Sequence, residues 1–257
     1  MFESLRDRQI VLAGGSGGIG AAVTDMLLAE GVRVVIGYRA NRERAERWDS
    51  VATVVQADLT LADHRTRLLD AAPELYGMVV LAGDPARFTD PAQRDAAAHV
   101  SHDANYLGPL LLAREAADRL RSTGTPGAIV LISTMQANAL FPGSTFYAAQ
   151  KAALQHAALV LAKECRGPAN IRVNVVSPGI TAAGMAEASI AAGKYDRYLQ
   201  DKTISRYGRA IDVARAIRFF LEPDKYVTGQ VLCVDGGITL SEPRNTARLA
   251  LASSGRS

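Results

Sequence analysis

Cysteine is scarce in this chain: its 257 residues include only Cys165 and Cys233, far apart and without the close spacing of a metal-binding pair. That excludes a disulfide scaffold and fits a reduced, cytoplasmic protein whose two thiols pack as small core hydrophobes. Long apolar runs are missing as well. None approaches the roughly 18 residues of a membrane-spanning helix, and the N-terminus, MFESLRDRQ, carries acids where a secretion signal has an apolar stretch. No membrane partner is expected. Neither sign of charge dominates: the net charge is +3, and the 29 Lys and Arg residues are spread along the chain. A nucleic-acid partner is not expected from that balance. The four histidines have no carboxylate or cysteine cluster around them. His99 and His102 stand at helical spacing but read as surface residues near Asn105, His64 and His156 belong to no constellation, and no metal site is expected.

What is present is a regular alternation of strand and helix signals. QIVLA (9–13) is an apolar run that leads straight into GGSGGIG and then into a helical pattern closed by Gly31. Further strand signals follow at 32–37, 52–57, 77–82, 127–133, 171–176 and 230–234, with room for a helix between neighbours. Long helices are predicted over 92–121 and 145–167, and a shorter one over 212–221. Such alternation implies right-handed βαβ crossovers. The fold class expected is α/β: a single-domain Rossmann fold with a doubly wound, seven-stranded parallel sheet and helices on both faces, spanning 1–240 with a tail over 241–257. The segment TAAGMAEASIAAGKYDRYLQ (181–200) is too polar and alanine-rich to belong to the core.

The glycine loop reads in either of two registers, as Gly14, Gly18 and Gly20, or as Gly15 and Gly18 with Gly17 and Gly20 completing the pattern. Both remove Cβ atoms where a diphosphate would approach backbone amides and the positive end of a helix. An NAD-type site wants an acid at the end of the second strand. Here that strand ends in Tyr38 and Arg39, with Arg42 and Arg44 following. No carboxylate repels a 2′-phosphate there, and Arg39 can receive one through a charge-assisted fork, so NADP(H) is the expected cofactor. Arg42 and Arg44 are equally consistent with solvating a helix start.

Tyr147 and Lys151 lie four residues apart in TFYAAQK, a spacing that puts a phenol and an ammonium on one helix face. A cation favours a phenolate, which brings a tyrosine closer to acid–base work. Upstream, Pro109 has no N–H to give the carbonyl of Asn105, so a kink is expected that frees this carbonyl for a water.

The ordered set GGSGGIG (14–20), ADL (57–59), LAG (81–83), Asn105, YAAQK (147–151), VNVVSPGIT (173–181) and TGQVLCVDGG (228–237) resembles the short-chain dehydrogenase/reductase family over about residues 8–240, nearest to its 3-oxoacyl-carrier-protein reductase branch. The resemblance implies an NADPH-dependent oxidoreductase that moves a hydride between nicotinamide and a carbonyl or secondary alcohol. It implies a catalytic set of Thr134, Tyr147, Lys151 and Asn105. Tyr147 would be the proton donor or acceptor, and Lys151 would hold the ribose and lower the tyrosine pKa. The cofactor would be held by Gly14, Ser16, Gly18, Ile19, Gly20, Tyr38, Arg39, Asp58, Leu59, Ala82, Gly83, Tyr147, Lys151, Pro178, Gly179, Ile180 and Thr181. Implied partners are a small-molecule carbonyl substrate, an acyl-carrier-bound one included, and copies of the same chain in a homotetramer or homodimer.

Three positions depart from the family pattern. Thr134 stands 13 residues before Tyr147, where the family has Ser; Ser133 would take that place if the loop 135–144 carried one extra residue, but Thr134 fits without a gap. Ala13 and Leu81 stand where the family usually has Thr and Asn. These departures support a rival reading, a nucleotide-binding regulatory or structural protein that has lost turnover. Phe141, Phe146, Met185 and Tyr195 flank the expected cleft, and residues 182–200 fall where the family has a mobile substrate lid.

Overall fold

The structure, a computed structural model, describes residues 4–85 and 90–241; the expected tail lies, past Ser241, outside the described residues. The strands are β1 (Gln9–Ala13), β2 (Arg33–Tyr38), β3 (Thr53–Gln56), β4 (Leu75–Val80), β5 (Gly127–Ile132), β6 (Ile171–Pro178) and β7 (Val231–Val234). They form one seven-stranded sheet in the order β3-β2-β1-β4-β5-β6-β7, parallel throughout. The helices are α1 (Gly18–Ala29), α2 (Arg42–Glu46), α3 (Ala62–Asp70), α4 (Arg94–His102), α5 (Gly108–Thr123), α6 (Thr145–Glu164), α7 (Glu187–Ala191), α8 (Asp196–Gln200), α9 (Ala210–Leu221) and α10 (Ile238–Ser241). The expected doubly wound architecture is therefore present.

The central strands read as unbroken apolar runs because both sheet faces are covered. Along β1, Val11 turns to one face and Ile10 and Leu12 to the other. Val11 joins Met78, Ile129 and Leu131 against Leu68 of α3, Leu112 and Leu120 of α5, and Leu154 and Leu161 of α6. Ile10 and Leu12 join Val79 and Val130 against Val23 and Leu27 of α1 and Val213, Ile217 and Phe220 of α9. Each fully buried side chain of this size stabilises the fold by about 1.5–3 kcal/mol. A third, smaller cluster of Met135, Ile180, Tyr198, Ile204 and Ile238 lies apart from the sheet.

The strand order reverses at β1, whose two neighbours are β2 and β4. A crevice opens beyond the carboxyl ends of the strands at such a switch point, which is where an α/β sheet takes its ligand. β4 begins at Leu75 rather than 77 and ends at Val80, because the amides of Leu81 and Ala82 leave the ladder and both donate to the Ala13 carbonyl, at 2.8 and 3.1 Å. The predicted helix over 92–121 is interrupted by a π turn, Asp103–Leu107, between α4 and α5. Cys165 is buried as expected, but Cys233 is exposed on the edge strand β7. Among the described residues no helix is long and apolar enough to cross a membrane, and no cluster of His, Cys, Asp and Glu is arranged to hold a metal ion.

Candidate active site

The glycine loop follows β1 and is shaped by approaches that only glycine permits. Gly14 has φ +90, and a Cβ on it would come to 2.9 Å of the Ala82 amide nitrogen. A Cβ on Gly20 would come to 2.2 Å of the Gly14 carbonyl oxygen. Thr24, buried on the inner face of α1, donates through Oγ1 to the Gly15 carbonyl at 3.0 Å and ties the loop to the helix. The first turn of α1 has neither a side-chain cap nor an acidic residue. Its leading amides thus face the crevice without a protein acceptor, a setting that suits an anion.

At the end of β2, Arg42 is taken up by Glu46 and Asp49, at 3.3 and 2.5 Å, and lies over the Tyr38 ring. It solvates its helix start. Arg39 and Arg44 line the cleft instead, and neither belongs to an ion pair among the described residues. Asp58 follows β3. Burial opposes its ionisation, but the Thr60 amide and hydroxyl on Oδ1, at 3.0 and 2.8 Å, together with the charge of Arg39, hold its carboxyl below the usual range. His64 has a definite place in this arrangement, contrary to the sequence reading: its Nδ1 accepts the Asp58 amide at 3.1 Å.

The chemistry end is assembled by β4, β5, the π turn and α6. A Cβ on Gly83 would lie 3.0 Å from Asn105 Oδ1 and 3.4 Å from Lys151 Nζ, so these three residues meet. Asn105 is fully buried; its Oδ1 accepts the Asp84 amide at 3.0 Å and its Nδ2 donates to the Asp84 carbonyl at 2.7 Å. The π turn widens the helical ladder at this residue, where Pro109 supplies no N–H. Lys151 is 3% exposed and donates to the Ile132 carbonyl at 2.9 Å.

The two adjacent hydroxyls that follow β5 take different partners. Ser133 donates to the Lys151 carbonyl at 3.1 Å and accepts from Gln155 Nε2 at 3.0 Å, which fastens α6 to β5. Thr134 instead accepts the Gln136 amide at 3.3 Å through its Oγ1 and lines the cleft together with Tyr147, where its hydroxyl favours the phenolate. One expectation is corrected here. The sequence suggested that Lys151 would lower the tyrosine pKa, yet in this cofactor-free site burial dominates. It pushes the Tyr147 phenol up to about 12, with the Thr134 hydroxyl pulling the other way, and it pushes the Lys151 ammonium down to about 8.

That lysine value has a consequence for stability. Burial disfavours the charged form of Lys151, so its cost to the folded state is fully present below pH 8 and is relieved as pH rises from 8 towards the reference value of 10.5. Lys151→Met is expected to stabilise the protein without its cofactor at pH 7 by about 3 kcal/mol, less whatever the orphaned Ile132 carbonyl costs. The gain in Tm should shrink between pH 8 and 10.5; a gain that grows with pH would contradict this reading.

All of these features open onto one cleft of about 1010 Å³, at the top of the range for ligand sites, about 300–1,000 Å³. Every residue expected at the cofactor lines it, as do Thr134, Tyr147 and Lys151; Asn105 sits behind the wall. The side facing α7 and α8 carries Phe141, Met185 and Tyr195, as expected, and also Gln136 and Lys194. His102 is no free surface residue: it packs on Tyr106 and its Nδ1 lies 3.2 Å from Gln150 Oε1 on α6. Residues 182–200 are only partly the uncommitted lid foreseen. Tyr198 is 5% exposed in the third cluster, and Gly184 lies so close to the glycine loop that a Cβ on Gly18 would come to 2.4 Å of its amide nitrogen.

Fold and site together define a dinucleotide-binding α/β protein with Tyr147 and Lys151 at one end of its cleft. The family model described as enoyl-(acyl carrier protein) reductase matches residues 13–239. An uncharacterised oxidoreductase of Methylorubrum extorquens is 33% identical over 251 residues, covering 92% of this chain and 100% of the relative. An NADPH-dependent aldehyde reductase-like chloroplastic protein of Arabidopsis thaliana is 30% identical, covering 91% and 94%. A solved short-chain type dehydrogenase/reductase from Mycobacterium ulcerans superposes with a TM-score of 0.85 at 28% identity, covering 98% of this chain and 97% of that one. The chain belongs to the short-chain dehydrogenase/reductase family of oxidoreductases.

Proposed function

We propose that this protein is an NADPH-dependent reductase of carbonyl compounds, also able to run as an alcohol dehydrogenase, with Tyr147 as its general acid or base. The observation that carries the proposal is the meeting of Thr134, Tyr147 and the buried Lys151 with the glycine loop in one cleft. NADP(H) is the cofactor. The residues present fit it: uncapped amides of α1 for the diphosphate, Arg39, in no ion pair among the described residues, for a 2′-phosphate, and Asp58, whose Oδ1 holds Thr60, for the adenine. When bound, the cofactor supplies the hydride.

The protein's own groups handle the oxygen. As charge grows on the substrate carbonyl, the Tyr147 phenol transfers its proton and the Thr134 hydroxyl donates a hydrogen bond. Lys151 is charged at neutral pH, and its ammonium favours the phenolate that forms. Asn105 secures the turn after β4 through its side chain, and so the wall beside Lys151. The test is NADPH consumption with a panel of ketones in the wild type against Tyr147→Phe.

Arg39 sets the cofactor preference in this reading. A hydrogen bond to a charged group contributes about 1.5–3 kcal/mol, and each 1.4 kcal/mol is about tenfold. Arg39→Ala is therefore expected to lower the NADPH-over-NADH ratio of kcat/KM by about 10- to 100-fold, chiefly through NADPH. An unchanged ratio would assign the 2′-phosphate elsewhere.

A further inference from the structure

The cleft is unevenly charged. Asp58 is the only carboxylate among its described lining residues, and it stands beyond β3. The basic residues are Arg39 and Arg44 after β2, Lys151 beneath the phenol, and Lys194 on the opposite side, in the turn between α7 and α8. Arg39 and Lys151 are accounted for by the cofactor and the chemistry, and Arg44 stands with Arg39 at the cofactor end. Lys194 is not. It belongs to no ion pair among the described residues, and its ammonium lies 5.6 Å from the ring centroid of Tyr195.

The nearest acid in sequence makes no ion pair with it among the described residues: Asp196 Oδ1 accepts the Tyr207 hydroxyl at 2.9 Å. The turn itself is well held. Gly193 adopts φ +70, the Asp196 amide donates to the Gly193 carbonyl at 3.1 Å, and the Tyr198 amide donates to the Tyr195 carbonyl at 3.1 Å. Tyr198 anchors the segment in the third cluster. Tyr195 in turn stands close enough to Tyr147 to oppose ionisation of that phenol. An unneutralised cation is thus carried on a fixed turn, beside an aromatic ring that adjoins the reacting group. Phe141, Met135 and Met185 supply the apolar remainder of this end of the cleft.

We propose that the substrate is an oxoacid: a carbonyl compound with an apolar body lying against Tyr195 and Phe141 and a carboxylate received by Lys194. The proposal rests on the reductase reading and adds the substrate class to it. An ammonium meeting a carboxylate at the rim of a cleft steers the ligand and selects against its uncharged analogues.

The experiment compares matched pairs with the full chain and NADPH: acetylbenzoate and its methyl ester, and oxopentanoate and its methyl ester. In the wild type, kcat/KM should favour each acid over its ester by about two- to fivefold, the worth of an ion pair at an exposed ammonium. Added salt should reduce that preference. Lys194→Met should bring the acid-to-ester ratio close to one, Lys194→Arg should keep most of it, and NADPH affinity should change in neither. A ratio that is the same in wild type and Lys194→Met overturns the inference, as does a loss of NADPH affinity without a change in ratio, which would give Lys194 to the cofactor. Tyr147-dependent reduction of the esters without acid preference sinks the Lys194 role alone. If the wild type reduces none of the four compounds, both readings fall.

Discussion

Tyr147→Phe is expected to fold, to bind NADPH with an affinity close to that of the wild type, and to reduce ketones about 10²–10⁴-fold more slowly. The substitution removes one oxygen and keeps the ring. Its structural cost is small because α6 is held by other groups: Ser133 on the Lys151 carbonyl, Gln155 on Ser133, and the Leu154 and Leu161 side chains in the core. Its chemical cost is large because among the described residues no carboxyl, thiol or imidazole lines that end of the cleft, and the Tyr195 phenol is the only other acid there. Thr134 can still donate a hydrogen bond to a developing oxyanion, but a hydroxyl of ordinary acidity does not replace a proton donor assisted by a cation. The check is single-turnover NADPH oxidation alongside a fluorescence titration of NADPH. Equal rates in the two proteins would end the assigned mechanism, and loss of NADPH binding would show that the phenol serves the cofactor instead.

The pH dependence follows from the same pair. With the phenol pushed up to about 12, Tyr147 keeps its proton throughout the working range and is ready to act as an acid. The limiting group is Lys151, whose ammonium is pushed down to about 8. Because kcat/KM reports the free enzyme, its value for reduction should fall as pH rises through about 8, and the fall should follow the loss of the Lys151 charge. Bound phosphates nearby would raise that value again, so kcat should hold to higher pH than kcat/KM.

The fold was legible where two layers of cause agree. QIVLA is apolar on both faces and stops at a glycine, and β1 has the bounds read from it. At β4 the apolar run LAG continues past the strand, and only tertiary structure reveals that Leu81 and Ala82 turn to the Ala13 carbonyl instead of the ladder. A proline offset hinted at the disturbance around Asn105, but not at its form, since a π turn leaves no composition mark. The cleft residues were legible because glycine spacing and a tyrosine–lysine pair are local patterns. Thr24 could have been found as a polar residue on the buried stripe of α1, where it needs a partner. His64 could not, because its bond to the Asp58 amide depends on how α3 folds back on β3. Cys233 was misread for a related reason: a strand sequence does not say whether it will lie at the edge of its sheet, and β7 does.

Gly20→Ala is expected to raise the Kd for NADPH by about 100-fold or more and to lower Tm as well. In an open helix this exchange would be favourable, by about 0.5–1 kcal/mol, because alanine loses less backbone freedom on folding. Packing reverses the sign here. The new Cβ would come to 2.2 Å of the Gly14 carbonyl oxygen and to 2.9 Å of the Gly15 Cα and carbonyl carbon. All three atoms are backbone, so no side chain can swing away, and the loop has to part from the first turn of α1. Overpacking of this kind costs about 3 kcal/mol, roughly two orders of magnitude in affinity, and it falls on the amides that face the diphosphate. Gly17→Ala is the control. That residue has φ −75, and the nearest atom to its added Cβ is the Gly14 oxygen at 3.4 Å, an ordinary contact. Its Kd should move by less than about threefold, within the few tenths of a kcal/mol common at sites away from such clashes. Similar losses in both variants would mean that the loop needs flexibility at every glycine, and the specific approach of Gly20 to Gly14 would lose its claim to shape the cofactor site.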